Sequence, residues 1–359
     1  LDHSGASALL YACRGAVKAT VDLLLAQPGA DQHVNTPDTH RCTPLLAACW
    51  AGGVDVVKAL LAHGAHINER AAATRSSSHP PSLHPPSSHF PSSPPSSSHP
   101  SSSHPHPPHP RPPHLVEEEV GVPPSAIEPG VVQAGGRCGK RDSASSDGSS
   151  DGEVGSAALM AAAEIGDAAL VRTLCRHNAS LGAADAKRRT PLHVACAGGH
   201  AGVARALLYA RAEVDSLAGD VTPLMLAAKD GSSVVCSLLL ENRANADAAR
   251  KKDSMNSLMM ASRGGHADAV NVLLSHVKQL DAVRTDNGET ALLAACKNAE
   301  AEVVAILLAA GASTNARSFP TAEGQPGPSA QDYAALSPEL AAVFESQEQQ
   351  ARVTLGLLT

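Results

Sequence analysis

The sequence predicts an all-α repeat fold, a solenoid of helix-turn-helix units joined by β-hairpins and broken once by a long disordered loop. Three observations predict it. One phrase recurs about every 33 residues, as Thr43-Pro-Leu-Leu-Ala-Ala-Cys49, Thr190-Pro-Leu-His-Val-Ala-Cys196, Thr222-Pro-Leu-Met-Leu-Ala-Ala228 and Thr290-Ala-Leu-Leu-Ala-Ala-Cys296, with looser copies starting at Ser7, Ala157 and Asn256. Each copy leads into a second apolar stretch, such as Val56-Val-Lys-Ala-Leu-Leu61 or Val303-Val-Ala-Ile-Leu-Leu308. A fixed period of this length marks a stack in which each unit buries its apolar face only against its neighbours. Aromatic residues make up only 2% of the chain while Ala and Leu dominate, as thin, closely packed helix pairs require.

Residues 186–215 show how one unit is built. Thr190 can cap the first helix through its hydroxyl, and Pro191 falls at the first helical position, where a missing N–H costs nothing. Leu192, Ala195 and Cys196 recur at helical spacing and form the buried face. Gly198-Gly199 stops that helix, and a second one carries Val203, Leu207 and Leu208 before Ala212–Asp215 extends toward a hairpin. The second helix ends on a position that wants positive φ. Gly64 and Gly311 satisfy it and Asn178 is acceptable, whereas Arg211, Arg243 and Val277 break the pattern. A β-branched residue is strained there, so a rearranged or longer turn is predicted at 277–281.

The repeated phrase resembles the ankyrin repeat, whose signature is Thr-Pro-Leu-His-x-Ala. The resemblance covers residues 1–68 and 155–316, with a worn copy near 329–345; apart from one long gap, successive starts are 32 to 36 residues apart. The reading divides the chain into repeats 1–2 (1–68), an insertion (69–153), repeats 3–7 (154–316), a degenerate C-terminal capping repeat (317–350) and a truncated tail (351–359). In the cap, Ser337-Pro-Glu-Leu340 supplies a helix start, and Leu340, Val343 and Phe344 one apolar face. Leu1 in place of Met, with an apolar ending at Leu355–Thr359, is what a fragment of a longer protein would show.

The insertion has its own composition. Residues 74–114 are almost all Ser, Pro and His, followed by Glu117-Glu-Glu119 and a Ser/Asp/Gly stretch at 143–152. Such a segment has too little to bury to offset its ordering entropy, and its Pro runs favour polyproline II. Zinc, copper or nickel binding by its histidines, SH3 or WW recognition of Pro107–Pro113 and phosphorylation within Ser146–Glu153 compete with a plain low-complexity loop, which is the favoured reading. Gly135-Gly-Arg-Cys-Gly-Lys140 has the wrong spacing for a phosphate loop, and Arg141 stands where Ser or Thr would hold magnesium. Repeats 1–2 are too few to stand alone and repeat 3 lacks a polar outer face, so the insertion is predicted to be extruded from a continuous stack. Loop closure grows by only about 0.6 kcal/mol per doubling of length.

Function follows from the resemblance. In ankyrin-like stacks the hairpin tips and the exposed side of the first helices line a concave groove. By phase these are Arg14; His40, Cys42 and Trp50; Glu164 and Ile165; Lys187 and Arg189; Lys229 and Asp230; Lys252, Met255 and Arg263; Asp286, Asn287, Glu289, Lys297 and Asn298. Trp50, the sole Trp, falls seven residues past Thr43 on the solvent side, where it either anchors a partner or packs on the next helix. The same column holds Arg14, Lys229, Arg263 and Lys297, a ridge suited to an acidic partner or simply a solvated face. With a net charge of -7 there is no strongly basic field for nucleic acid, and no run of 18 apolar residues calls for a membrane span.

Neither catalysis nor metal binding is expected. No nucleophile, base and orienter converge, and no Cys-x-x-Cys or His-Glu-x-x-His spacing occurs. Cys13, Cys49, Cys196 and Cys296 share one repeat position and read as small buried hydrophobes in a reducing compartment. The chain thus reads as a non-enzymatic, cytoplasmic or nuclear monomer without cofactor, a scaffold for protein partners. Two alternatives stay open: a substrate adaptor for a modifying complex such as a ubiquitin ligase, and the ankyrin region of a larger enzyme.

Overall fold

The computed structural model describes residues 2–3, 5–68, 157–320 and 326–354. Within them the chain folds as consecutive helix pairs. These are α1 (Ala8–Arg14) with α2 (Lys18–Leu25), α3 (Pro44–Trp50) with α4 (Val54–Ala62), α5 (Ala157–Ile165) with α6 (Ala168–Arg176), and α7 (Pro191–Ala197) with α8 (Ala201–Tyr209). There follow α9 (Pro223–Asp230) with α10 (Ser233–Glu241), α11 (Ser257–Arg263) with α12 (Ala267–Leu274), α13 (Ala291–Lys297) with α14 (Ala301–Ala309), and α15 (Ala330–Ala334) with α16 (Pro338–Thr354). Seven pairs are the predicted units and the eighth is the cap, whose last helix runs on to Thr354 rather than ending at 350.

The odd-numbered helices pack in one row, each on the next from α1 to α15, and the even-numbered helices form a second row from α2 to α16. Most first helices start on a capping side chain because the phrase begins with one, α5 with its Ala157 start being an exception. Ser7, Thr43, Thr222, Asn256, Thr290 and Ser329 all accept from the main-chain N–H three residues on. The seventh residue of the phrase faces the core, so Cys13, Cys49, Cys196 and Cys296 are buried free thiols. Ser262 takes that place in unit 6, and its hydroxyl, like that of Ser257, is buried without a partner among the described residues.

Two local expectations need revising. The β-hairpins shrink to isolated bridges, Ala218 with Val221, Ala249 with Asn256 and Arg317 with Ser329, so no strand forms among the described residues. The units are held by helix packing and side-chain bonds instead. Arg211 and Arg243 do not avoid the left-handed turn; they adopt it, at φ 71° and 68°, beside Gly64 at 80° and Gly311 at 88°. Val277 does force a rearrangement. Its N–H bonds Leu273 O at 3.0 Å, α12 stops at Leu274, and Val277 folds into the core margin.

The stack runs through the insertion point. α3 packs on α5 and α4 on α6, as at every uninterrupted junction. A ladder of Asn and Asp side chains ties most units to the second-helix turn of the next. Asn35 Oδ1 accepts from His66 N (2.7 Å), Asp215 from Asn245 N (3.1 Å), Asp247 from Lys278 N (3.0 Å) and Asp281 from Ser313 N (2.9 Å). Asn68, the last described residue before the gap, fills the same place: Ser180 N donates to its Oδ1 at 2.9 Å and its Nδ2 donates to Asn178 O at 3.3 Å. Repeats 1–2 therefore stack on repeat 3. The readings offered for 69–153 fall on residues outside those described.

Two predictions follow from this junction and its ladder. Deleting residues 70–152 leaves one cooperative urea transition; two resolved transitions would mean the α3–α5 contact does not couple the halves. Gly182 stands at the ladder position of unit 3 with no side chain to offer, and a Cβ there meets nothing within 4 Å. Gly182→Asn restores the bond and stabilises by about 0.5–1.5 kcal/mol, whereas Asn68→Ala destabilises by a similar amount per bond lost; equilibrium denaturation measures both.

Candidate functional site

The first-helix row ends on one edge of the stack, next to the hairpin tips, and most of the sequence-predicted site residues lie there. His40, Glu164, Lys187, Lys229, Asp230, Lys252, Arg263, Asp286, Lys297 and Asn298 are exposed. Trp50 is 43% exposed at the end of α3, and Ile165 is 40% exposed at the end of the adjacent α5. Arg14, Cys42, Arg189 and Asn287 are half-buried.

Two expectations fail. Met255 (6% exposed) and Glu289 (6%) are inside the structure. Met255 precedes the capping Asn256 and packs with the core, its N–H held by Asp253 Oδ1 at 3.1 Å. Glu289 is drawn in by Arg284, whose Nη1 lies 3.0 Å from its Oε2. The exposed Arg41 and Arg188, absent from the predicted set, stand two residues before the phrase with φ 57° and 61°. The signal was present: positive φ at a turn is glycine's usual place, as Gly288 shows at 73°.

Much of the charge at this edge serves the fold. Arg14 Nη2 donates at 2.7 Å to Asp38, whose side chain is fully buried and also accepts from His40 N and Cys42 N. Arg189 likewise pairs with Asp185, which orders the turn through Lys187 N and Arg189 N. Between units 6 and 7, Arg284 bridges Asp253, Asp286 and Glu289, while Arg250 pairs with Asp253 from the other side. The Arg250 hydrogen bond holds the Asp253 carboxyl below the usual carboxylate range. Lys297 lies 3.8 Å from Glu289. Lys229 and Arg263 make no ion pair among the described residues. They sit, like Arg14 and Lys297, in the last turns of first helices, where a cation also complements the helix dipole.

Three histidines bind unit to unit. The Thr190 N–H can only donate, so the His193 Nδ1 it reaches at 3.2 Å is the bare nitrogen, and Nε2–H donates to Val221 O at 3.2 Å in unit 5. His200 Nε2 donates to Glu164 O (3.2 Å) and His266 Nε2 to Lys229 O (3.0 Å), each across one unit boundary. At the other end of the row an open groove of about 300 Å³ lies between unit 7 and the cap, lined by Asp286, Glu289, Leu293, Lys297, Phe319 and Tyr333. Burial, with Glu289 nearby, raises the Tyr333 hydroxyl pKa.

Chemistry of the nucleophilic kind is not favoured by these surroundings. Burial pushes the Cys13, Cys236 and Cys296 thiols up to about 12, and raises Cys49 and Cys196 as well. Among the described residues no three His, Cys, Asp or Glu side chains are placed to hold a metal, and no helix is long and apolar enough to cross a membrane.

A stack of capped helix pairs of this kind defines a repeat-type interaction module. The family profile for ankyrin repeats in three copies matches residues 1–71, 141–218 and 224–318, well over half of the chain, and the protein belongs to the ankyrin-repeat family. No curated protein matches it. Among solved structures, the ankyrin repeat domain of human ASB11 is similar at 26% identity over 53% of this chain and 82% of that one, with a TM-score of 0.47.

His193 gives the stack a pH dependence. Burial lowers its pKa from 6.5. The unfolded chain protonates below about 6.5 while the folded one stays neutral further down. Its stabilising share is complete above that pH and is lost as pH falls toward its depressed native value. The wild-type urea midpoint therefore drops more between about pH 7 and pH 5 than that of His193→Gln, whose amide keeps the contact to Thr190 N; parallel curves would clear His193 of this role.

Proposed function

We propose that the protein is a non-catalytic scaffold that binds partner proteins along the edge formed by its first-helix ends and hairpin tips. The observation that carries this is the occurrence of two exposed apolar side chains, Trp50 and Ile165, on neighbouring first helices. Trp is a common interface anchor, and Lys229 and Arg263 offer positive charge further along the same row. The partner is an acidic protein segment that seats an apolar residue on Trp50 and runs toward those cations. The frame is ordered before binding, so little conformational entropy is lost on association. The free buried thiols favour a reducing compartment, and we assign the protein, as a monomer, to the cell interior.

Partner capture followed by titration calorimetry tests the reading. Trp50→Ala weakens binding by about tenfold or more. Lys229→Glu with Arg263→Glu slows association and flattens its salt dependence. Unchanged affinity and salt dependence in all three, with melting temperatures intact, would refute the site.

A further inference from the structure

The charge of the second-helix row is segregated. Along each second helix and the turn after it, units 2 and 5 balance one acid against one base, Asp55 against Lys58 and Glu241 against Arg243, and units 6 and 7 carry one acid each, Asp268 and Glu302. Unit 3 (168–178) carries Arg172 and Arg176, unit 4 (201–211) carries Arg205 and Arg211, and neither stretch has an Asp or Glu. Each is therefore +2 within a chain whose net charge is -7. These four arginines and Arg243 are exposed, and none makes an ion pair among the described residues.

Repeat phase sets them side by side. Arg172 and Arg205 hold the same position on α6 and α8, which pack on each other with axes about 8–10 Å apart. Arg176 follows Arg172 by one turn, and its counterpart on α8 is Tyr209, 90% exposed. Arg211 and Arg243 share the turn position of units 4 and 5, where units 2 and 7 have Gly64 and Gly311. The turn itself calls for glycine, so an arginine there keeps a guanidinium in place against left-handed backbone strain. Helix ends do not require these cations either, since α10, α12 and α14 have no basic residue in their last turns.

We infer that the outer face of α6 and α8 is a docking surface for a phosphorylated peptide segment of a partner protein, its phosphate gripped by guanidinium groups from both helices and a flanking side chain resting on the Tyr209 ring. Arginine is used at all five places, and its planar fork meets phosphate oxygens through paired N–H bonds. A phosphate monoester concentrates a charge of about -1.5 to -2 in one group, which two neighbouring guanidiniums answer and a lone carboxylate does not match. A bilayer or a nucleic acid fits less well, because spreading beyond units 3 and 4 it meets Asp55, Glu241, Asp268 and Glu302 on the same row. The surface belongs to the second helices and the Trp50 edge to the first, and neither reading depends on the other.

A peptide array tests it. The full chain is applied to phosphoserine peptides with randomised flanks and to their unphosphorylated twins, and the best-retained pair is titrated by fluorescence anisotropy. The phosphorylated peptide binds about tenfold or more tightly than its twin. Arg172→Gln with Arg205→Gln removes that difference at an unchanged melting temperature. Arg211→Gly, which relieves the left-handed turn, weakens phosphopeptide binding while the melting temperature holds or rises, and Lys229→Glu with Arg263→Glu on the other row leaves it intact. An array with no preference for phosphate, or a preference that survives loss of Arg172 and Arg205, overturns the proposal. So does binding to vesicles rich in phosphatidylserine, or to duplex DNA, that depends on these arginines while phosphopeptides do not bind.

Discussion

Everything in this molecule depends on a helix pair having too little apolar surface to fold by itself. Each pair is seven to nine residues on each side through most of the stack, short of the dozen or more that an isolated helix needs in water. Each must therefore be sheltered by a neighbour. The small side chains of the first helices follow from this. Ala48, Ala162, Ala195, Ala227, Ala261 and Ala295 occupy one position and are buried, and a larger residue there would push the rows apart. The capping Thr, the buried Cys and the Asx ladder adjust the same contact from its ends. None of them substitutes for it.

The same constraint decides what charge is doing. An exposed ion pair contributes little, but a carboxylate whose side chain is buried must be answered. Asp38, Asp253 and Glu289 are each answered by an arginine from the same unit or the next. The guanidinium of Arg284 spans three carboxylates on two consecutive hairpins, where a β-ladder has been reduced to single bridges. Side-chain electrostatics thus replaces sheet hydrogen bonding as the link between tips. It also removes several charges from the set available to a partner, and leaves Lys229 and Arg263 as the cations without a structural ion pair in their column.

The repeat phase carried the architecture into view from sequence, because each unit restates the others: the capping Thr, the buried Cys column and the continuity of repeats 2 and 3 follow from the alignment of seven copies. Phase served the site less well. It placed Trp50, Lys229 and Arg263 on the solvent side, since those positions are set by the helix turn alone. It misplaced Met255 and Glu289, because hairpin residues are turned in or out by particular partners, Asp253 and Arg284, whose own positions no period specifies. Arg41 and Arg188 went unread for a related reason. Their left-handed backbone is a property of the turn and not of the residue type found there. The hydroxyls of Ser257 and Ser262 show the converse: the phase puts them inside whatever their chemistry, and among the described residues they have no partners there.

The insertion point ties these threads together. The described chain leaves the stack at Asn68 and returns at Ala157, and the Asx rung made by Asn68 closes the junction as if the two repeats were consecutive. The break falls where a hairpin would otherwise join units 2 and 3, on the hairpin-tip edge proposed to receive a partner. Those two units carry Trp50 and Ile165. The two exposed apolar residues of the proposed edge and the departure of the longest connection in the chain therefore belong to the same pair of units. A break at this place costs the stack little, because the packing lies in the two helix rows and the loop-closure term rises only logarithmically with length. The frame can tolerate variation at its tips because what holds it together lies elsewhere, and the proposed recognition through those tips rests on the same separation.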